Sequence, residues 1–162
     1  MSLKSPNISV IVTTYNRPDA LQVVLLALAQ QTQLPNQVVV ADDGSTQETR
    51  LLIGQLQNQL NYPLQHVWQK DEGFQAAKIR NKAALCAHSN YLIFLDGDCV
   101  PFPDFIENHR LLAEPNWFVS GHRVLLEKQF TQKILQELLP IYKQSTLEWL
   151  LHYFQRQSNR LF

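Results

Sequence analysis

Cysteine is scarce in this chain: Cys86 and Cys99 are the only two in 162 residues. They form neither a C-x-x-C pair nor a spaced framework, which excludes a disulfide-stapled miniprotein and a cysteine zinc site. Each sits in an apolar neighbourhood, which predicts a buried, reduced thiol and suits a reducing cytosol. Glycine is also short, at five residues against eight prolines, so collagen-like and low-complexity classes are excluded. No G-x-G-x-x-G follows the first apolar run, so a dinucleotide-binding oxidoreductase would lack its phosphate turn. A sugar nucleotidyltransferase would lack its Gly-rich loop at the same place. Long hydrophobic runs are missing. The longest unbroken one, Val23 to Ala29, is far below the roughly 20 residues of a bilayer span. Met1 to Ser5 is polar and lacks the apolar core of a secretory leader, and its first three residues, Met-Ser-Leu, also fit a cloning remnant. Charge of one sign is absent too. Lys+Arg and Asp+Glu are 14 each, giving a formal net charge of zero. That is not the basic footprint of a nucleic-acid binder, and no nucleic-acid partner is expected.

What is present is a globular composition: 45% apolar residues and all three aromatic types, in about one domain's length. Ile8 to Thr14 is a β-branched run of strand length. Pro18 and Asp19 then open a helical pattern with Leu21, Val24, Leu25 and Leu28 on one face. Gln37 to Ala41 reads as a second strand, Thr46 to Gln59 as a helix, and Leu64 to Trp68 as a third strand. Phe74 to His88 reads as a helix, Tyr91 to Leu95 as a fourth strand, Pro103 to Ala113 as a helix, and Trp117 to Ser120 as a fifth strand. Strands that are apolar throughout and alternate with helices imply a mainly parallel sheet, buried on both faces. From Gln129 the pattern is helical, and Pro140 is expected to kink or split it. The large apolar groups beyond it, with five Lys/Arg against three Glu from Glu127 onward, suit packing on the chain's own core or a membrane-surface helix. The expected organisation is a binding domain over 1–126 and a helical segment over 127–162.

In a parallel sheet, ligands bind beyond the carboxyl ends of the strands. Three polar clusters fall there: Thr13-Thr14-Tyr15-Asn16, Asp42-Asp43-Gly44-Ser45 and Asp96-Gly97-Asp98. Two carboxylates one residue apart, if buried, need a cation, and hard divalent ions take such oxygens together with substrate phosphates. The plainer reading of Asp96-Gly97-Asp98 is a solvated turn. Asp42-Asp43-Gly44-Ser45 explains itself as a turn into a helix, except for its two acids, which would suit a ring N–H or a ribose hydroxyl. After the third strand, Asp71 or Glu72 would favour a helix start, while Lys78 and Arg80 could face a diphosphate or simply be solvated. His122, in Ser-Gly-His-Arg, is a structural histidine or an additional metal ligand.

Taken in order, VIVTTYNRPDAL (Val10–Leu21), VVVADDGS (Val38–Ser45), DEGFQAAKIRN (Asp71–Asn81) and LIFLDGD (Leu92–Asp98) resemble glycosyltransferase family 2. These are inverting nucleotide-sugar transferases, and the match is nearest the bacterial galactosyltransferase and chondroitin-polymerase branch. The resemblance covers about residues 8–126. It implies an α/β GT-A fold, Rossmann-like, with helices flanking a mainly parallel sheet. It implies a UDP-sugar donor, a glycan or lipid-linked glycan acceptor, and Mn²⁺ or Mg²⁺ as cofactor; the expected site of action is cytoplasmic, either free or peripheral at the inner membrane face through the carboxy-terminal helix. Carried over residue by residue, Thr13 and Tyr15 would hold the uracil, Asp42 would receive its N–H, and Arg80 would lie near the nucleotide. Asp98 would bind the metal, with Asp96 reaching the ribose or a metal-bound water. Asn16, Arg17, Asp43, Asp71, Lys78 and Gly97 complete the expected donor set, and His122 the expected metal set. Inverting transfer also needs a general base. After Arg123 the only acids are Glu127, Glu137 and Glu148, all in helical contexts, so no base is assigned. The alternative is therefore a nucleotide-sugar-binding module without the catalytic base, either an amino-terminal part or a natural short form. A haloacid-dehalogenase-type phosphatase also uses D-x-D, but on its first strand; here the motif is on the fourth.

Overall fold

The computed structural model describes residues 6–160, so the reading of Met1–Ser5 lies outside them. The elements are β1 (Ile8–Thr14), α1 (Pro18–Leu28), β2 (Gln37–Asp42), α2 (Gln47–Leu56), β3 (Leu64–Trp68), α3 (Ala76–Leu85), β4 (Tyr91–Asp96), α4 (Phe105–Leu112), α5 (Lys128–Glu137) and α6 (Thr146–Phe154). The chain forms two compact units, Met1–Val119 and Ser120–Phe162.

In the first unit the sheet order is β3-β2-β1-β4 and every pairing is parallel. The chain builds outward from β1 to β3, then crosses back to lay β4 on the other side of β1. The strand order therefore reverses between β1 and its neighbours, and the crevice at their carboxyl ends is where such sheets bind ligands. The two faces are covered by different helices. Val10, Val12, Val38 and Val40 pack with Leu21, Val24, Leu25 and Leu28 of α1, Ile53 and Leu56 of α2, and Ile106 of α4. On the other face Ile11, Val39 and Ala41 pack with Ile79 and Ala83 of α3. Alternation along a strand makes this division, because successive side chains point to opposite faces.

Four expectations need correction. Burial on both faces holds for β1 and β2, but β3 and β4 are only half-buried because they are the sheet's margins. Trp117–Ser120 forms no strand: no described strand pairs with it, and Trp117 and Phe118 are 75% and 88% exposed. Cys86 and Cys99 are half-buried rather than buried, because both lie just past the end of an element. The helix expected from Phe74 starts at Ala76, since Gly73 takes a positive φ of 85° and the turn it makes ends two residues later.

The second unit holds α5 and α6, which bury Phe130, Ile134, Ile141 and Trp149. The expected break at Pro140 occurs: α5 ends at Glu137, Leu138 turns into the left-handed region at φ 49°, and a single 3-10 turn, Ile141–Lys143, follows the proline. Leu126 and Ser158 close the unit with an antiparallel bridge.

Candidate functional site

The parallel register sets the site. Thr14 of β1 lies beside Asp42 of β2, and Thr13 beside Asp96 of β4, so all three polar clusters meet at one edge of the sheet. The intervening loops are tied together. Asn16, at a left-handed φ of 49°, accepts from the Thr46 N–H at its Oδ1 and donates its own N–H to the Ser45 hydroxyl, each at 2.9 Å.

 The side-chain oxygen of Asn16 thus holds Thr46, and its backbone holds Ser45. Gly44, at φ 100°, has no room for a side chain, because a Cβ would stand 2.6 Å from the Asp71 Cα. Glycine is needed there twice over, for the backbone angle and for the close passage of the β3–α3 loop. Gly97 is packed as tightly, with the Thr13 carbonyl 2.7 Å from where a Cβ would lie.

Exposed and half-exposed polar groups cluster around β1 and β4. Arg80 of α3 donates from Nε to Thr13 Oγ1 at 2.9 Å and from a terminal nitrogen to Asp96 Oδ1 at 2.7 Å. Tyr15 is half exposed and donates its hydroxyl to Asp71 Oδ2 at 2.9 Å, a bond to a carboxylate that raises the phenol's pKa. Asp71 also accepts from the Gly73 N–H. Asp96, Asp98 and Cys99 each bring one ligand atom, all within 4.8 Å of one another. The two carboxylates are hard oxygen donors at the mouth of the crevice, the set that Mg²⁺ or Mn²⁺ accepts; the softer Cys99 sulfur contributes little to such an ion. The expected reason for a cation does change. Both acids are exposed rather than buried, and Asp96 already has Arg80 as its counter-charge.

Arg17 and Lys78 have partners of their own, though the charge of Asp98 also acts on Arg17. Arg17 pairs with Asp19 at 2.9 Å, and Lys78 donates to Gln75 Oε1 at 2.8 Å near Glu72. His122 lies in the second unit and is not among the three residues of the acidic cluster.

Asp42 and Asp43 point to opposite faces of the sheet. Asp42 is fully buried on the α1–α2 side, where it accepts from the Ser45 N–H at 2.8 Å and lies 2.9 Å from His66 Nε2. Burial works against its charge, but the hydrogen bonds from His66 and Ser45 outweigh it and hold the carboxyl below the usual range. Asp43 faces α3, where it accepts from Gln69 Nε2 at 2.6 Å and from the Gln75 N–H at 2.8 Å. Gln69 is itself buried, and its Oε1 has no hydrogen-bond partner. Reversing the amide would set that oxygen against the Asp43 carboxylate, so its orientation is determined. Sequence reasoning missed His66 and Gln69. His66 could have been found from β3's alternation, which puts it on the same face as Asp42's side chain; Gln69 carries no such periodic signal, because it lies just past the strand.

The family model described as Glycosyl transferase family 2 matches residues 9–162. A hyaluronan synthase from Pasteurella multocida is 32% identical over 173 aligned residues, which take in 94% of this chain and 18% of that relative's length. Among solved structures, a mannosyltransferase from Pyrobaculum calidifontis in complex with GDP-Man and Mn²⁺ matches with a TM-score of 0.61 and 26% identity, over 69% of this chain and 34% of that one. S. aureus TarS 1-349 in complex with UDP-GlcNAc matches with a TM-score of 0.53 and 30% identity, over 63% and 29%. The chain thus spans less than two-fifths of each of these proteins. The expected GT-A fold is the one these neighbours share.

Proposed function

The chain belongs to glycosyltransferase family 2, and on that premise we propose that its first unit binds a UDP-sugar and a divalent cation for inverting transfer of the sugar to a glycan or lipid-linked glycan hydroxyl. The observation that carries this reading is the meeting of Thr13, Tyr15, Arg80, Asp96 and Asp98 at one switch point of a parallel sheet. Asp96 and Asp98 would hold Mn²⁺ or Mg²⁺, which when bound supplies Lewis-acid neutralisation of the charge left on the diphosphate. Arg80, anchored to Thr13, brings a second positive charge to the same place. Tyr15 offers a half-exposed ring against which a base can stack.

The base contact moves one residue along from Asp42. Both acids are buried with both oxygens engaged, Asp42 by Ser45 and His66 and Asp43 by Gln69 and the Gln75 N–H, so the choice of Asp43 rests on its facing α3, the helix that carries Arg80. Asp43 and the buried, unpartnered Gln69 Oε1 form the neighbouring acceptor pair. An acceptor without a donor suits a base that presents an N–H, as uracil does.

A binding module without turnover is the second reading, and a specific observation favours it. Glu127 accepts from the N–H groups of Gln129 and Phe130, capping α5. Glu148 accepts from Ser145 in a capping box, whose hydrogen bonds hold it below the usual carboxylate range and make it a poor base. Two of the three acids after Arg123 are therefore already employed. Calorimetric titration of UDP, with and without Mn²⁺, tests the site. Asp98→Ala should abolish the metal-dependent part of binding, and unchanged affinity in Mn²⁺ would refute the assignment. Sugar transfer by this chain would favour the enzyme reading; UDP binding without transfer would favour the module.

A further inference from the structure

A second concavity lies on the α2 side of the sheet, where Ser45, Thr46, Gln47, Arg50, Gly54, Gln57, His66 and Trp68 line a groove of about 680 Å³. It is separate from the acidic cluster, which stands at the β1–β4 junction. Trp68 forms one wall. Its ring is 53% exposed, yet it is held in place by a hydrogen bond from the indole N–H to the Ser45 carbonyl at 3.2 Å. An exposed tryptophan fixed in one orientation offers a flat apolar plate at little further entropic cost.

The opposite wall carries an unexplained glycine. Gly54 sits inside α2, where glycine costs about 1 kcal/mol relative to alanine. No neighbour demands it: a Cβ there would meet nothing within 4 Å, and its φ is not in the left-handed region. Its effect is to leave the groove open beside the helix backbone. Arg50, one turn before it, is exposed and makes no hydrogen bond or ion pair among the described residues. Gln47 and Gln57 add neutral amide groups.

We propose that this groove is a saccharide-binding subsite, in which one sugar ring lies on Trp68 in the space left by Gly54 and Arg50 bonds the ring's oxygens. The chemistry selects a sugar over the other ligands that a helix start attracts. A phosphate would meet the buried Asp42 carboxylate beneath the loop and Glu48 in the first turn of α2, both of its own charge. A purely apolar ligand would leave Gln47 and Arg50 unpaired, while the Gln57 amide already donates to the Leu64 carbonyl. A sugar has apolar C–H faces for the plate and hydroxyls for the polar wall. Its role as a hold on a glycan being extended rests on the transferase reading; binding in the groove does not.

The test uses the full chain, ¹⁵N-labelled, titrated with hyaluronan tetrasaccharide and separately with cellotetraose, following the Trp68 indole N–H resonance. At least one should shift that resonance while those of Trp117 and Trp149 stay in place. Gly54→Leu fills the groove and improves the helix, so it should raise thermal stability and weaken saccharide binding about tenfold or more. Trp68→Leu should weaken it about fivefold to tenfold, the loss of one aromatic contact, and Trp68→Phe should recover most of that. All three variants should keep UDP affinity. A Trp68 signal unmoved by either sugar, or a Gly54→Leu protein that binds as well as the parent, overturns the proposal. Failure of UDP to bind the parent protein would instead count against the donor site alone.

Discussion

At the scale of single residues, the adjacent acids Asp42 and Asp43 have different duties because a strand alternates its faces. Asp42→Asn removes a buried charge that is hydrogen-bonded by His66 and Ser45, and should cost about 1–3 kcal/mol in urea unfolding at neutral pH. Because the folded carboxyl lies below its unfolded value of about 3.9, its contribution is complete above that pH and is lost as pH falls through the lower folded value. The variant should therefore lose less stability than the parent on acidification below about pH 4; equal losses would show that Asp42 is not the titrating group. Asp43→Asn should act instead on UDP affinity, weakening it about tenfold in calorimetry. Gly44→Ala tests the tightest packing in the site. With a φ of 100° and the Asp71 backbone 2.6 Å away, a methyl group should cost at least 1–3 kcal/mol, read as a lowered melting temperature and a displaced Asp71–Tyr15 contact in NMR.

At the scale of elements, the strands and helices of the first unit were largely legible. Continuous β-branched runs are readable as β1 and β2 because both strands are buried on both faces, and Pro18 marks the start of α1 because its fixed φ suits a first turn. The false strand at Trp117–Ser120 has a physical cause: a short apolar run becomes a strand only if another strand lies beside it, and sequence alone does not supply the neighbour. Helix α6 shows the converse. Its Trp149 packs within the second unit, while Leu147, Leu151 and Phe154, at spacings of a single helix face, remain exposed. In the sequence Lys143, Arg156 and Arg160 flank α6, with Glu148 as the one acid between them. An anionic lipid surface would complement such a face. Sedimentation with phosphatidylserine-containing vesicles should carry the protein down, and Leu151→Glu should abolish this; equal recovery on neutral vesicles would exclude the electrostatic part. No helix among the described residues is long and apolar enough to cross a bilayer.

At the scale of the whole molecule, the convergence of three polar clusters was readable because parallel topology sends every strand's carboxyl end to one edge. What stayed hidden was contact made by side chains on different elements. Neither the Arg80–Asp96 pair nor the His66–Asp42 pair follows from spacing, since each joins residues brought together only by strand register and helix placement. The same topology leaves β4 as a margin of the sheet, with Phe94 52% exposed and no described strand along its far side. Such a rim offers a ladder of backbone donors and acceptors to any extended segment of another molecule. In concentrated solution copies of the chain should therefore pair edge to edge through this rim, and light scattering should grow with concentration. A positive charge at Phe94→Lys would act as a gatekeeper and suppress that growth.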